Sequence, residues 1–300
     1  MDVRAEMYRS HSTFPCGETA MTANPEQIIV FTGLDGSLIQ AAAADAPEIL
    51  PALELLRSRD IPLILTTIRP AAEALPLAQG LDGSDPLIVE HGAAIYVPKG
   101  ALKLDLQHQR VEQGYLIIEI GLGRGDLVGH LVHLREEFNF LLWGYSELTP
   151  EQAAEMGATL TGDDLRAAQP LEYMEPVVYL GPESELIRVQ EELENRQLRW
   201  TPLDGRIFVT GDHDPGIAVR LLIQFYREAF PDRDVKSIGL GDSILDAAML
   251  HAVDQPVLVR RPDGGFDQRV GRRGLLFTKH SDGQGWSQAV IALVTHDKEA

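Results

Sequence analysis

Short apolar runs alternate with amphipathic stretches along the first third of the chain. Four runs predict strands: Ile28–Gly33, Pro62–Thr66, Pro86–Glu90 and Ala94–Pro98. Ile49, Leu53 and Leu56 lie at helical spacing between the first two runs, and a second helix is predicted to begin near Pro70. Buried strands that alternate with helices at this spacing indicate a parallel sheet with helices on both faces.

The pattern is interrupted and then resumes. A second α/β block follows, with predicted strands at Tyr115–Ile120 and Glu175–Leu180 and a long helix between them. The first pattern returns with a predicted strand at Arg206–Thr210, a helix over Ala218–Phe230 and further strands at 235–241 and 256–259. These boundaries predict a core domain over 25–98 and 203–300, an inserted cap domain over 99–202, and a disordered extension over 1–24.

The composition limits which binding partners and which cellular compartment are expected. The net charge of −19 argues against binding to nucleic acid or to anionic membranes. A single cysteine excludes an internal disulfide framework, and we expect a cytoplasmic location. Apolar runs long enough to span a bilayer are missing from the sequence. The composition does not predict the oligomeric state.

Three polar segments follow predicted strands, where open parallel sheets place their ligands. They are Gly33-Leu34-Asp35-Gly36-Ser37-Leu38, Thr66-Thr67-Ile68-Arg69 and Gly241-Asp242-Ser243-Ile244-Leu245-Asp246. Each segment by itself is better explained by a turn or a helix N-cap. The three in this order, with an insertion between the second and third, are more specific.

Together these motifs resemble the haloacid dehalogenase (HAD) superfamily, in particular its mannosyl-3-phosphoglycerate phosphatase group. The resemblance extends from Gln27 to about Val294. It includes Glu90-His91-Gly92 after the third strand, Trp143–Thr149 and Glu172–Pro176 in the insertion, and Gly283-Gln284-Gly285-Trp286 near the end. The resemblance implies an α/β fold with a Rossmannoid parallel-sheet core and an inserted α/β cap of the C2 type.

The resemblance also implies roles for individual positions. The family's nucleophilic Asp falls at Gly33, and Asp35 would be the general acid and base. Thr67 and a Lys after the cap would hold the phosphoryl oxygens, with Arg69 as a further anion-binding residue. Asp242 and Asp246, with Asp35, would bind Mg²⁺, which prefers oxygen ligands.

Four positions depart from the family's pattern. Gly33 has no side chain with which to form an aspartyl-phosphate, and Pro215 stands where the phosphate-binding Lys is expected. Leu245 replaces an Asn beside the metal-binding carboxylates, and Leu171 replaces an Arg in the cap. Loss of the nucleophile in a covalent mechanism typically lowers the rate by roughly 10⁶-fold. His91, at the family's Asn position, is interpreted as a turn residue.

Two hypotheses about function remain. The first is an inactive or very weakly active HAD phosphatase relative that is retained for binding a ligand or a partner, with a small phosphorylated sugar as the expected ligand. The second is a Mg²⁺-dependent phosphomonoesterase acting on mannosyl-3-phosphoglycerate or a related sugar phosphate. In that case Asp35 or a metal-bound water would have to replace the missing nucleophile.

Overall fold

A computed structural model describes residues 25–36, 38, 47–81, 84–203 and 205–295. The extension predicted over residues 1–24 lies outside the described residues. The strands are β1 (Glu26–Gly33), β2 (Leu63–Thr66), β3 (Leu87–Val89), β4 (Ala94–Pro98), β5 (Arg110–Glu112), β6 (Tyr115–Glu119), β7 (Leu142–Gly144), β8 (Met174–Tyr179), β9 (Leu198–Leu203), β10 (Arg206–Gly211), β11 (Asp234–Gly241), β12 (Gln255–Arg260) and β13 (Leu276–Ser281). The helices are α1 (Leu50–Ser58), α2 (Ala71–Gly80), α3 (Arg124–Phe138), α4 (Pro150–Glu155), α5 (Gly162–Ala168), α6 (Leu186–Glu194), α7 (Pro215–Ala229), α8 (Ala247–Ala252) and α9 (Asp282–Thr295).

The strands form a large and a small sheet. The large sheet has nine strands in the order β13-β12-β11-β1-β2-β3-β4-β6-β5, parallel from β13 to β3 and antiparallel from β3 to β5. The small sheet has the order β7-β8-β10-β9 and is antiparallel. The predicted α/β class, with a parallel-sheet core, is confirmed.

Strand pairing differs from the prediction at two places. Tyr115–Ile120 was assigned to the inserted block, but β6 pairs with β4 and extends the large sheet. Arg206–Thr210 was assigned to the core, but β10 pairs with β8 and β9 in the small sheet. Apolar content gives no indication of which sheet a strand joins, because strands of both sheets contain consecutive buried residues. The chain therefore crosses to the small sheet after β6 and returns after β10. We refer to the part of the chain between these crossings as the cap, which extends past the predicted boundary at residue 202 to the end of β10.

Alternation along β1 divides the large core into two layers. Ile29 and Phe31 pack on one face of the sheet with α7, while Val30 packs on the other face with α1 and α9. All three side chains are completely buried. Trp286 of α9 is also buried, and its Nε1–H donates to Thr32 Oγ1 at 3.0 Å. Packing on both faces holds the end of β1 in a fixed position, and the site begins there.

The small sheet has two different apolar faces. On one face, residues of α3 and α6 pack against Val177 of β8 and Val209 of β10. On the other face, Met174 of β8 and Phe208 of β10 pack toward the large sheet. This second face of the small sheet covers the site, so that side of the site does not face bulk solvent. No helix within the described ranges combines the length and apolarity required to cross a bilayer.

Candidate active site and ligand cleft

The three predicted motifs meet at one edge of the large sheet. Strand β1 pairs with β2 on one side, where Gly33 lies opposite Thr66, and with β11 on the other, where Thr32 lies opposite Leu240. Because all three strands are parallel, the loops that follow them emerge at the same edge. The structure thus brings Asp35, Thr67 and Arg69 near Asp242 and Asp246 in a small cavity and the cleft beside it.

Both oxygens of the Asp35 carboxylate accept hydrogen bonds from the loop after β2. One oxygen accepts hydrogen bonds from Thr67 Oγ1 at 2.6 Å and from the Ile68 backbone N–H at 2.9 Å. The other accepts a hydrogen bond from Arg69 Nε at 2.8 Å. Arg69 also reaches Glu73, with 3.3 Å between Nη1 and Oε2. The two residues predicted to bind an anion therefore bind a carboxylate of the protein itself.

Asp246 lies in the space beside Gly33. A Cβ built on Gly33 would overlap Asp246 Oδ1 and lie 2.9 Å from its Cγ. The other oxygen, Oδ2, accepts hydrogen bonds from the backbone N–H groups of Asp242 at 2.9 Å and Ser243 at 3.2 Å. Burial, together with the nearby charge of Asp242, raises the pKa of Asp246 to about 7. The carboxyl group of Asp246 thus fills the position from which the family's nucleophile would project.

This arrangement does not fit Mg²⁺. The ion takes six oxygen ligands in near-octahedral geometry. Within the described part of the chain, no three His, Cys, Asp or Glu side chains converge in a way that could hold a metal ion. Asp35 accepts hydrogen bonds on both oxygens, and Asp246 Oδ2 accepts two backbone N–H groups. The carboxylate ligand that the family's Asp supplies is also missing, because this position is Gly33.

Pro215 occupies the first position of α7. Asp214 caps this helix, since its Oδ1 accepts the Ile217 backbone N–H at 2.9 Å. Pro215 is buried and borders a cavity of about 40 Å³ beside Thr67, His91 and Asp242. Of the described residues that line this cavity, three are aspartates and none is Lys or Arg. A phosphoryl group would meet carboxylates here without the cation that usually offsets them.

His91 also borders this cavity. Its backbone φ of +57° lies in the left-handed region, which agrees with the prediction of a turn residue. Burial lowers the pKa of His91, and the charge of Asp214 offsets this only partly. Burial therefore favours the neutral form of the His91 imidazole, which does not replace the missing lysine.

A larger cleft of about 270 Å³ opens between the two sheets next to Asp35 and Arg69. Its cap wall includes Leu171, Met174 and Phe208, and its core wall includes Leu245. Further described residues that line it are Ile68, Pro70, Glu73, Tyr145, Asp164, Ala167, Ala168, Pro176, Leu203 and Arg206. The sequence analysis identified Leu171 and Leu245 as departures but missed the rest of this wall. Alternation along β8 and β10 is the signal that could have identified Met174 and Phe208.

Glu90 connects the large sheet to the cap. Its carboxylate accepts hydrogen bonds from the backbone N–H groups of Glu172 at 2.9 Å and Tyr173 at 2.8 Å, just before β8. The side chain is almost completely buried, and this burial raises the pKa of Glu90 to about 7. Glu90 has a backbone φ of +45°, so a non-glycine residue adopts a rarely populated conformation. A strained conformation of this kind is retained when the surrounding contacts hold the residue in place, as the two hydrogen bonds to the cap do for Glu90.

Comparisons with known proteins identify the class. A family model of haloacid dehalogenase-like hydrolases matches residues 30–119. The fold resembles a solved haloacid dehalogenase-like hydrolase from Bacteroides thetaiotaomicron with a TM-score of 0.57 at 17% identity, over 89% of this chain and 99% of that one. At this identity the likeness concerns the fold alone. The predicted HAD-like fold is thereby confirmed.

Sequence relatives identify the group within this class. The chain is 34% identical over 272 residues to a glucosyl-3-phosphoglycerate/mannosyl-3-phosphoglycerate phosphatase of Methanococcoides burtonii, covering 89% of this chain and 97% of the relative. It is 25% identical to a phosphatase of the same description from Persephonella marina, covering 88% and 96%. The chain belongs to the haloacid dehalogenase-like hydrolases and, within them, to the mannosyl-3-phosphoglycerate phosphatase group.

Proposed function

We propose that this member of the group binds a small ligand between core and cap without transferring its phosphoryl group. The observation that carries the proposal is the contact between Gly33 and Asp246, since a carboxyl group of the protein takes the place of the nucleophile's side chain. Without an attacking oxygen attached to residue 33, no aspartyl-phosphate can form at this position. The expected loss of rate is roughly 10⁶-fold relative to an intact covalent mechanism.

The surroundings of Gly33 support the same proposal. Asp35, the family's general acid and base, forms an ion pair with Arg69 and accepts hydrogen bonds from Thr67 and Ile68. Both oxygens of this carboxylate are therefore bound by donors of the protein itself. Pro215 leaves the small cavity without a cation among its described lining residues.

The alternative is a Mg²⁺-dependent phosphomonoesterase on mannosyl-3-phosphoglycerate or a related sugar phosphate. The identity of 34% to the Methanococcoides burtonii phosphatase and the retention of Asp35, Asp242 and Asp246 favour it. It requires attack by Asp35 itself or by a metal-bound water. The first route would require Asp35 to leave hydrogen bonds that hold it.

The test is release of inorganic phosphate from a panel of sugar phosphates, including mannosyl-3-phosphoglycerate, with and without Mg²⁺. We expect no release above background by the wild type, and measurable release by a variant that combines Gly33→Asp with Pro215→Lys. Asp35→Asn is the matched control. Turnover by the wild type that Asp35→Asn abolishes would overturn the proposal in favour of the phosphatase.

A further inference from the structure

Apolar residues of both domains meet in the larger cleft. Ala168, Leu171, Met174, Leu203 and Phe208 of the cap form one buried cluster, and each is at most 9% exposed. From the core, Ile68 and Leu245 pack against this cluster, as does Tyr145 of the cap. We refer to these eight residues as the apolar wall. All eight also line the cleft.

Two of the departures in the sequence lie on the apolar wall. Leu171 is in the cap segment before β8, and Leu245 is in the loop after β11. Both residues nevertheless line the same cleft. A leucine at either position presents hydrocarbon in place of a side chain able to form hydrogen bonds. Hydrocarbon from the cap and from the core therefore faces any ligand that enters this cleft.

The charged groups of the cleft are already paired with one another. Arg69 pairs with Asp35 at 2.8 Å and with Glu73 at 3.3 Å. Arg206 pairs with Asp164 at 3.3 Å. The described lining therefore has three carboxylates against two guanidinium groups. A ligand with both a phosphate and a carboxylate would bring further negative charge to a lining that has no excess of positive charge.

We propose that the cleft binds a small ligand with an aromatic or alicyclic body and at most one charge. This inference rests on the proposed function and specifies its ligand class. The apolar wall contributes the rings of Tyr145 and Phe208, which favour contact with the faces or edges of another ring. The neighbouring charges stay paired on binding, and burial of the ligand's apolar surface supplies the affinity.

The experiment titrates 1-anilinonaphthalene-8-sulfonate, a fluorescent aromatic anion with a single charge, into the full-length protein. Inorganic phosphate and mannosyl-3-phosphoglycerate are titrated in parallel by calorimetry. The test variants are Leu171→Arg and Leu245→Asn. The matched control is Phe277→Ser, because Phe277 is 58% exposed in a separate apolar groove between β13 and α9 that could also bind the dye.

We expect one dye site in the wild type that Leu171→Arg and Leu245→Asn each weaken by about tenfold or more, since each places a polar group against the bound ring. Phe277→Ser should leave this site unchanged. Circular dichroism verifies that each variant is folded. Should Leu171→Arg unfold, Leu245→Asn decides the result, because Leu245 is only partly buried.

Three results would overturn the inference. The first is dye affinity that is the same in the wild type and both test variants. The second is loss of binding in Phe277→Ser alone. The third is tighter binding of mannosyl-3-phosphoglycerate than of the dye. Hydrolysis of 4-nitrophenyl phosphate by the wild type, with dye binding as expected, would instead overturn the non-catalytic function and leave the ligand class intact.

Discussion

The carboxyl group of Asp246 lies where a side chain on Gly33 would begin. A Cβ at residue 33 would be 2.9 Å from Asp246 Cγ and would overlap Oδ1. Residue 33 is at the end of β1, and its backbone is not in the left-handed region, so its conformation would accept other residues. The neighbouring carboxyl group, and not the backbone, is therefore what selects glycine here.

Gly33→Ala should lower the free energy of unfolding by about 1–3 kcal/mol, as expected for overpacking. In an Asp246→Ala background the same change should cost much less, because the overlapping atoms are gone. A double-mutant cycle from urea denaturation measures the difference. Gly129→Ala is the control, since a Cβ there meets nothing within 4 Å and should stabilise α3 by about 0.5–1 kcal/mol. Additive costs at residues 33 and 246 would show that the contact has no energetic effect.

The pairing of Asp35 with Arg69 should contribute modestly to stability. Their side chains are 19% and 39% exposed, so solvent screens the interaction at 2.8 Å. A cycle of Asp35→Asn and Arg69→Gln should give a coupling energy of about 0.5–1 kcal/mol that decreases as salt is added. Thermal denaturation at low and high sodium chloride measures it. A coupling that does not change with salt would contradict the electrostatic explanation.

Because Glu90 is buried, the free energy of unfolding should decrease as the pH rises. Its pKa is raised to about 7 in the folded protein from about 4.5 when unfolded, so the folded state binds the proton more tightly. The contribution is fully present below about pH 4.5 and is lost as the pH rises through about 7. The free energy of unfolding of the wild type relative to Glu90→Gln should therefore fall by about 2 kcal/mol from pH 5 to pH 7.5.

Urea denaturation of both proteins across this pH range gives the difference directly, and comparison with Glu90→Gln cancels the titration of all other groups. Glu112→Gln is a suitable control, because Glu112 is an exposed residue that also forms an ion pair. A difference between wild type and Glu90→Gln that does not vary with pH would show that the carboxyl group is not desolvated.

Magnesium should leave the melting temperature of the wild type unchanged up to a few millimolar, and a chelator should have no effect. A ligand stabilises a protein only to the extent that it binds the folded state. Gly33→Asp should gain a magnesium-dependent increase, because a carboxylate at residue 33 supplies an additional oxygen ligand and displaces Asp246. Differential scanning fluorimetry measures both. An increase in the wild type that Asp242→Asn removes would show that the native carboxylates already form a metal site.

The sequence predicted the class of fold because each buried strand is a short apolar run and each helix has one apolar face. It failed for β6 and β10 because both strands contain consecutive buried residues, as their neighbours β4 and β8 do. Only hydrogen bonding between distant segments assigns them to a sheet. The order of the motifs predicted that Asp35, Thr67 and Asp242 would meet. It did so because loops that follow neighbouring parallel strands emerge together.

The side-chain arrangement in the site was not predictable from the motifs. Arg69 and Thr67 were expected to bind a ligand's anion, but both bind the Asp35 carboxylate. A motif indicates which side chain is present and at which strand end it lies. It does not indicate which neighbouring residue that side chain contacts when the expected anion is missing. The absence of a side chain at Gly33 was visible in the sequence, but the position of Asp246 was not.

The crossings between the two sheets lie side by side. A Cβ on Gly211 would be 3.0 Å from the backbone nitrogen of Leu122, so the segment that leaves β6 touches the segment that returns from β10. A module whose two ends meet can be exchanged without altering the distance that the remaining chain must span. The cap is thus an insertion whose two ends lie together. Exchange of such caps by recombination between relatives offers a route by which a lineage acquires new ligands while the large sheet is retained.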